Sequence, residues 1–437
     1  MLFSKSSSGT LVAAPEATSQ NQGDSSEKDG PDDTVEGGIK AWCAVAGGWL
    51  AMMSTFGYTN AFGVYQDFYT RSHVASASRT SWIGSTQLFL LTATGLFAGK
   101  LVDLGYFRQT VLAGSFIYVF SLFMLSIAHP DEYYQIFLSQ GIGMGLGAGL
   151  IYIPCLAIQS HHWRTHRAMA MGIVFTGSSV GGIVFPIMLN QLLNVDNVGF
   201  AWSTRATALI VLGLLALANC LMSDRVASKA ASGHDHPKLD IGSFLTDGPY
   251  MLLTLGAFIC LWGVFYPLFY VQLFAITHGV DPKIAFYTLA ILNASSIPGR
   301  VLPNLFVHRY GTYNILLACG LCCGAITFAL FGITTVAGIV VFAILSGFFS
   351  GGFLSVITAA IASHARHEGE IGLRMGFAFA LAAVGSLTGT PIDGALLGDA
   401  FTWSRTIIFS GVTVLAGTAV LAVSRQMLVR RKGTQII

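Results

Sequence analysis

Apolar stretches of about 20 residues, the length that crosses ~30 Å of hydrocarbon at 1.5 Å per residue, recur on both sides of one polar segment. That segment, 223–246, reads SDRVASKAASGHDHPKLDIGSFLT and carries Asp224, Arg225, Lys229, Asp235, Lys238 and Asp240. Its neighbours, 39–222 and 247–428, are sparing in charge. Of the 437 residues 53% are hydrophobic and 10% charged, where a soluble domain carries about 25% charged. A soluble fold cannot hide that much apolar surface. The chain therefore reads as an all-α membrane protein of two helical bundles joined by a cytoplasmic linker.

Hydropathy places twelve spans. The first half holds 41–65, 80–102, 110–128, 134–158, 168–190 and 202–222, and the second 249–276, 284–306, 313–334, 337–362, 371–396 and 403–427. Residues 1–38 are rich in Ser, Gly, Asp and Glu, lack an apolar core, and are expected to be a disordered cytoplasmic tail. They contain no secretory signal pattern. Residues 429–437 form a short second tail on the same side. Most of the 23 Lys and Arg fall on the side of both chain ends, whereas Arg71, Arg79, Arg205, Lys283 and Arg405 fall on the other. By the positive-inside rule that places both ends in the cytoplasm, in a multi-pass protein of the cell membrane.

The halves repeat one another. Met171-Gly172 and Val180-Gly181 recur at one constant displacement as Met375-Gly376 and Val384-Gly385, and Trp202-Ser203 recurs as Trp403-Ser404. The loop Gly99-x-x-x-Asp103-x-Gly105-x-x-Arg108 has a counterpart at Asn304–Gly311, in which Asn304 and His308 replace the glycine and the acid. Parallel six-span repeats are the architecture of major facilitator transporters, the fold these observations predict.

Gly99, Asp103 and Arg108 suit a conformational latch. The glycine admits a close helix, while the acid can cap a neighbouring helix and pair with the arginine. A tight polar turn is the plainer reading. The run Gln140-Gly-Ile-Gly-Met-Gly-Leu-Gly-Ala-Gly149 superficially matches a dinucleotide loop, but no strand precedes it, and small residues at helix-packing spacing explain it better. Histidines cluster at His161, His162 and His166, and at His364 and His367. A His-box membrane enzyme would need more of them, so a basic, lipid-facing surface is expected. Seven cysteines, all in apolar segments, read as buried hydrophobes rather than disulfides or metal ligands. Neither metal nor cofactor is expected, and a net charge of +2 gives no basis for nucleic-acid binding.

Two stretches carry a resemblance. Glu36-Gly37-Gly38-Ile39-Lys40-Ala41-Trp42 resembles the opening signature of the monocarboxylate porter family in its fungal form. His162-Trp163-Arg164-Thr165-His166-Arg167-Ala168-Met169-Ala170-Met171-Gly172 is similar to that family's second signature. Gly372-Leu373-Arg374-Met375-Gly376 and Gly389-Thr390-Pro391-Ile392-Asp393-Gly394 also look like fungal members. Animal-type porters carry a span-one lysine and an Asp/Arg pair one turn apart in span eight. Here span one has Tyr58, Asn60 and Tyr65 but no lysine, and span eight keeps Arg300 with Ser296 where the acid would be.

An arginine inside the membrane is costly and usually functional. Arg300 is thus the first candidate to hold a substrate carboxylate or enolate, the alternative being a structural arginine at a helix end. Asn60, Tyr58, Tyr152, Tyr266 and Asn293, with Gln87, Tyr270 and Gln272, could line the cavity or glue helices together. Asp393 is either a proton acceptor or an acid at the kink after Pro391. No Gly-x-x-x-x-Gly-Lys-Ser/Thr is present, so the resemblance implies a secondary transporter, monomeric and not an enzyme. Loss of the lysine and the acid, with 31 Phe, 14 Tyr and 7 Trp, favours a large flat organic molecule. Two functions stay open, efflux of a fungal secondary metabolite and proton-linked uptake of a monocarboxylate or vitamin-like compound. A non-transporting sensor is a third class.

Overall fold

A computed structural model describes residues 37–71, 77–129, 132–163, 165–195, 198–223, 242–366, 370–398 and 401–437. The expected tail, most of the linker and His367 lie outside them. Among the described residues the regular structure is all helical, in an order compatible with the twelve spans. Nine runs among the described residues are long and apolar enough to cross a bilayer, including Phe107–Ile127, Arg167–Leu193, Val336–Ala362 and Ile371–Leu397. The remaining three are spans one, two and eight. Span one runs Ile39–Met52, passes through a π-helical turn at Met53–Gly57 and resumes at Phe62–Arg71. Span two divides into Ala77–Ala93 and Gly95–Asp103. Span eight, Pro282–Tyr310, contains Asn293, Ser296, Arg300 and Asn304.

Span seven also breaks, into Gly248–Val264 and Tyr266–Thr277. Pro267 supplies the cause, because it has no N–H to give the preceding turn. Such interruptions survive in a bilayer only where protein surrounds them, and those in spans one and seven border the central cavity.

Within the first half, span one packs on spans five and six, and span four (Tyr133–His162) on span three. The glycine run makes the latter close approach. Gly143 and Gly147 face Ser121 and Tyr118 of span three, while Gly145 and Gly149 face Gln87 and Leu90 of span two. In the second half span seven packs on spans eleven and twelve, and span eight on span ten. The halves meet along two seams, span two against span eleven and span eight against span five. These are the same contact under exchange of halves.

Matching bonds repeat inside each half. Trp49 Nε1 donates to Thr176 at 2.9 Å in the first, and Trp262 Nε1 to Thr388 at 2.9 Å in the second. Both described chain ends lie on one face, here the terminal face. There Gly37 packs on Trp163, and the Ile437 carbonyl accepts from Tyr313 N–H at the start of span nine.

At Gly147 an added Cβ would sit 2.6 Å from the Tyr118 backbone nitrogen, whereas one at Gly213 would meet nothing within 4 Å. Gly147→Leu is expected to cost about 1–3 kcal/mol through overpacking and lower the melting temperature in detergent. Gly213→Leu should leave it unchanged. Equal melting of the two variants would contradict the packing role of the glycine run.

Candidate functional site

Midway along span eight, Asn293, Ser296, Arg300 and Asn304 recur every three or four residues and so share one helix face. That face meets span five, where Gly172, Phe175, Ser178, Ser179 and Gly182 form the opposing stripe. Asn293 Nδ2 donates to the Gly182 carbonyl at 3.4 Å, and the Ser179 and Ser296 hydroxyls are 2.6 Å apart. Arg300 Nη1 donates to both the Phe175 carbonyl and the Ser178 hydroxyl. Gly172 leaves room for the Arg300 carbonyl and the Asn304 amide.

Arg300 is 4% exposed, and its guanidinium lies 5.1 Å from the Phe175 ring centroid. Among the described residues no carboxylate pairs with it, and its buried Nε has no partner. It sits in the middle of Pro282–Tyr310, so the reading as a helix-end arginine is corrected.

A cavity opens beside it, lined by Phe56 and Asn60 of the first half and by Val264, Phe265, Asn293, Ser296 and Ser350 of the second. Its free volume is about 30 Å³, where pockets for small molecules run to about 300–1,000 Å³. The cavity is contracted, and admitting a metabolite requires the halves to move apart.

Of the sequence candidates, Arg300, Asn60 and Asn293 line this cavity. Tyr58 and Tyr266 do not, which corrects their expected place. Buried phenols must pair, and each finds a hydroxyl inside its own half. Tyr58 is 2.7 Å from Tyr65 and 3.1 Å from Thr207, and Tyr266 is 3.1 Å from Thr406. Tyr152 stands behind the cavity, its ring edge-on to Phe175 and to Phe379 of span eleven. Gln87 bonds Thr59, Tyr270 bonds the Thr390 carbonyl, and Gln272 lies outside the cavity lining. Asp393 is also away from the cavity, fully buried, with one oxygen accepting from Ser410 of span twelve and the other unpartnered.

At the terminal face Asp103 reaches across to span eleven. Its two carboxylate oxygens accept from Gly372 N–H at 2.9 Å and Leu373 N–H at 2.6 Å, so the acid of one half caps a helix of the other. Gly99 and Gly95 face Gly372 and Gly376 backbone to backbone. Arg108 is exposed and forms none of the ion pairs among the described residues, so its expected pairing with Asp103 is corrected. Both Asp103 oxygens are already spent on backbone donors. His161 and His162 are buried at the end of span four, and His162 Nε2 lies 2.8 Å from the Ser223 carbonyl. The expectation of a lipid-facing basic surface fails for these two. Among the described residues no group of His, Cys, Asp and Glu is placed to hold a metal.

Sequence reasoning missed a buried ion cluster beside this cap. Arg374, fully buried, pairs with Glu370 at 3.1 Å and Asp247 at 3.2 Å and lies over the rings of Phe244 and Tyr250. Asp247 also meets His364 at 3.7 Å and Arg431 at 3.1 Å. His364 first, with Arg374 and Arg431, holds the Asp247 carboxyl below the usual carboxylate range, against burial that works the other way. The signal available was an arginine as the fourth residue of an apolar span, four after a glutamate.

Two half-bundles that meet around a small central cavity are the architecture of a transporter of the alternating-access kind. The chain belongs to the Major Facilitator Superfamily, whose model matches residues 47–344 and 306–434. It is 35% identical over 393 residues to the MFS-type transporter dbaD of Emericella nidulans, covering 89% of this chain and 86% of the relative. It is 38% identical over 395 residues to the aspyridones efflux protein apdF of the same fungus, covering 90% and 79%. The major facilitator transporter FucP, solved in its outward conformation, matches in fold with a TM-score of 0.68 at 14% identity, over 87% of this chain and 98% of that one.

Breaking the ion cluster from one side strands a buried charge, which costs about 3–5 kcal/mol. Arg374→Met should therefore melt well below wild type in detergent, because the buried Glu370 carboxylate loses its cation, and Arg374→Met with Glu370→Gln should recover most of the loss. A single variant as stable as wild type would contradict the cluster's role.

Proposed function

We propose that this chain is a secondary active efflux carrier, moving an acidic, flat fungal secondary metabolite out of the cell by alternating access. The observation that carries this reading is Arg300, a buried cation on the cavity wall with no carboxylate beside it among the described residues. A substrate carboxylate or enolate would supply the missing charge, with Asn60 and Asn293 as further hydrogen-bonding groups. Phe56 and Phe265 in the lining suit a flat apolar body. The relative whose printed name is an aspyridones efflux protein supports the outward direction and the substrate class.

In this reading the terminal face is cytoplasmic, the protein is a monomer in the cell membrane, and its kinship within the superfamily is with the fungal monocarboxylate porters. Asp103 and Gly99 form the latch that closes the cytoplasmic side and opens when the carrier turns over. Arg108 has no part in that grip.

A second reading is proton-linked uptake of a monocarboxylate or vitamin-like compound. What favours proton linkage is Asp393, a fully buried carboxylate with one oxygen accepting from Ser410 and the other unpartnered among the described residues. It is proposed as the proton carrier. Transport by Asp393→Asn should lose its dependence on a pH gradient, and an unchanged dependence removes that role.

The main reading is tested by comparing a deletion strain with its parent. The strain lacking this gene should accumulate an acidic metabolite inside the cell. Wild-type protein should restore export, whereas Arg300→Ala at equal surface abundance should lower it at least about a hundredfold, since a buried charged contact is worth several kcal/mol. Normal export by Arg300→Ala would overturn the proposal.

A further inference from the structure

We propose that the Phe175 carbonyl and the Ser178 hydroxyl satisfy Arg300 when no substrate is bound, so that the empty carrier can close and this chain carries out net transport instead of obligatory exchange. The inference rests on the reading of Arg300 as the anion site and adds what that residue does between transport cycles.

The argument starts from the cost of a buried guanidinium. When the halves part at the terminal face, water reaches the seam between spans five and eight, and Arg300 is hydrated. Closure removes that water. A guanidinium left without ligands in the closed seam would oppose closure by several kcal/mol, and a carrier built that way would close only when loaded.

Here the ligands are built in, and they come from the opposite half. Nη1 of Arg300 on span eight donates to the Phe175 carbonyl and the Ser178 hydroxyl on span five. Both acceptors are neutral, so they satisfy the hydrogen bonds without fixing a counter-charge at the site. The Phe175 ring beneath adds its negative face, 5.1 Å from the guanidinium carbon.

The assignment also divides the guanidinium. Nη1 faces span five, while the buried Nε–H has no partner among the described residues, so that edge can take a carboxylate once the seam has parted. A planar guanidinium serves both sides at once, a task for which the single ammonium of lysine is poorly shaped. Substrate therefore adds to the closed arrangement instead of competing with it, and empty and loaded carriers both close. Above and below, Ser179 with Ser296 and Asn293 with the Gly182 carbonyl continue the seam with neutral groups.

The test reads the closure of the empty protein directly and needs no substrate. Spin labels are placed on the full chain in lipid nanodiscs at Lys100→Cys and Ser363→Cys, exposed positions on the terminal face of the two halves. Distance distributions are then recorded by double electron–electron resonance. The unmodified seam should give mainly the short, closed distance. Ser178→Ala should raise the open-to-closed ratio roughly tenfold, the effect of losing a hydrogen bond to a buried charge. Arg300→Met keeps an unbranched side chain without the charge and should stay closed, and Ser178→Ala combined with Arg300→Met should close again.

That rescue is the decisive feature, because a merely structural serine would leave the double variant as open as the single one. A Ser178→Ala distribution identical to wild type, or a double variant that stays open, would overturn the inference. Either result would leave the export phenotype of Arg300→Ala untouched, so the failure of this inference is distinguishable from failure of the anion site itself.

Discussion

A guanidinium held between two half-bundles, with neutral groups where a carboxylate would be expected, is the constraint on which the rest of the arrangement depends. Arg300 is 4% exposed and bonded across the seam to span five. In hydrocarbon such a charge is stable only inside a protein-lined cavity whose other groups are satisfied. That requirement accounts for the stripe of polar residues on the face of span eight and for the broken stretches of spans one and seven being tolerated beside it.

Around this centre the two halves solve the same problems with the same chemistry. Trp49 with Thr176 and Trp262 with Thr388 pin the first span of each half to the fifth, and Tyr58 with Thr207 and Tyr266 with Thr406 pin it to the sixth. Where the halves differ, the difference falls at their meeting surfaces. Asp103 caps span eleven in the first seam. In the second the matching residue is His308, whose ring lies 5.4 Å from that of His166. One seam is thus closed by glycine packing and an acid cap, the other by hydrogen bonds along spans five and eight. Breaking the first exposes one carboxylate, while breaking the second exposes a guanidinium and a ladder of amides and hydroxyls.

The fold was legible because membrane spans announce themselves by length and by scarcity of charge. Expected spans at 168–190 and 371–396 correspond to helices Arg167–Asn190 and Ile371–Leu397. Arg300 was legible for the same reason, as a charge where charge is costly. The tyrosines were not, because a phenol in a span satisfies itself equally well against a cavity or a neighbouring threonine, and only the tertiary arrangement decides. Ser178 and Phe175 were invisible as partners of Arg300, since one contributes a common small side chain and the other a backbone carbonyl. The cluster around Arg374 was hidden by distance in the chain, because Asp247 lies 127 residues from it.

The central claim is that one cavity beside Arg300 is reached from each side of the membrane in turn. The direct measurement is modification of Ser350→Cys, on the cavity wall, by a membrane-impermeant thiol reagent applied to one face or the other of sealed vesicles, read above the background of the native cysteines. The account predicts labelling from both faces, and labelling from the face opposite the chain ends alone once Lys100→Cys and Ser363→Cys, exposed on the terminal face of the two halves, are bridged by a bifunctional thiol reagent. Labelling from one face only before cross-linking, or from the chain-end face after it, would contradict alternating access.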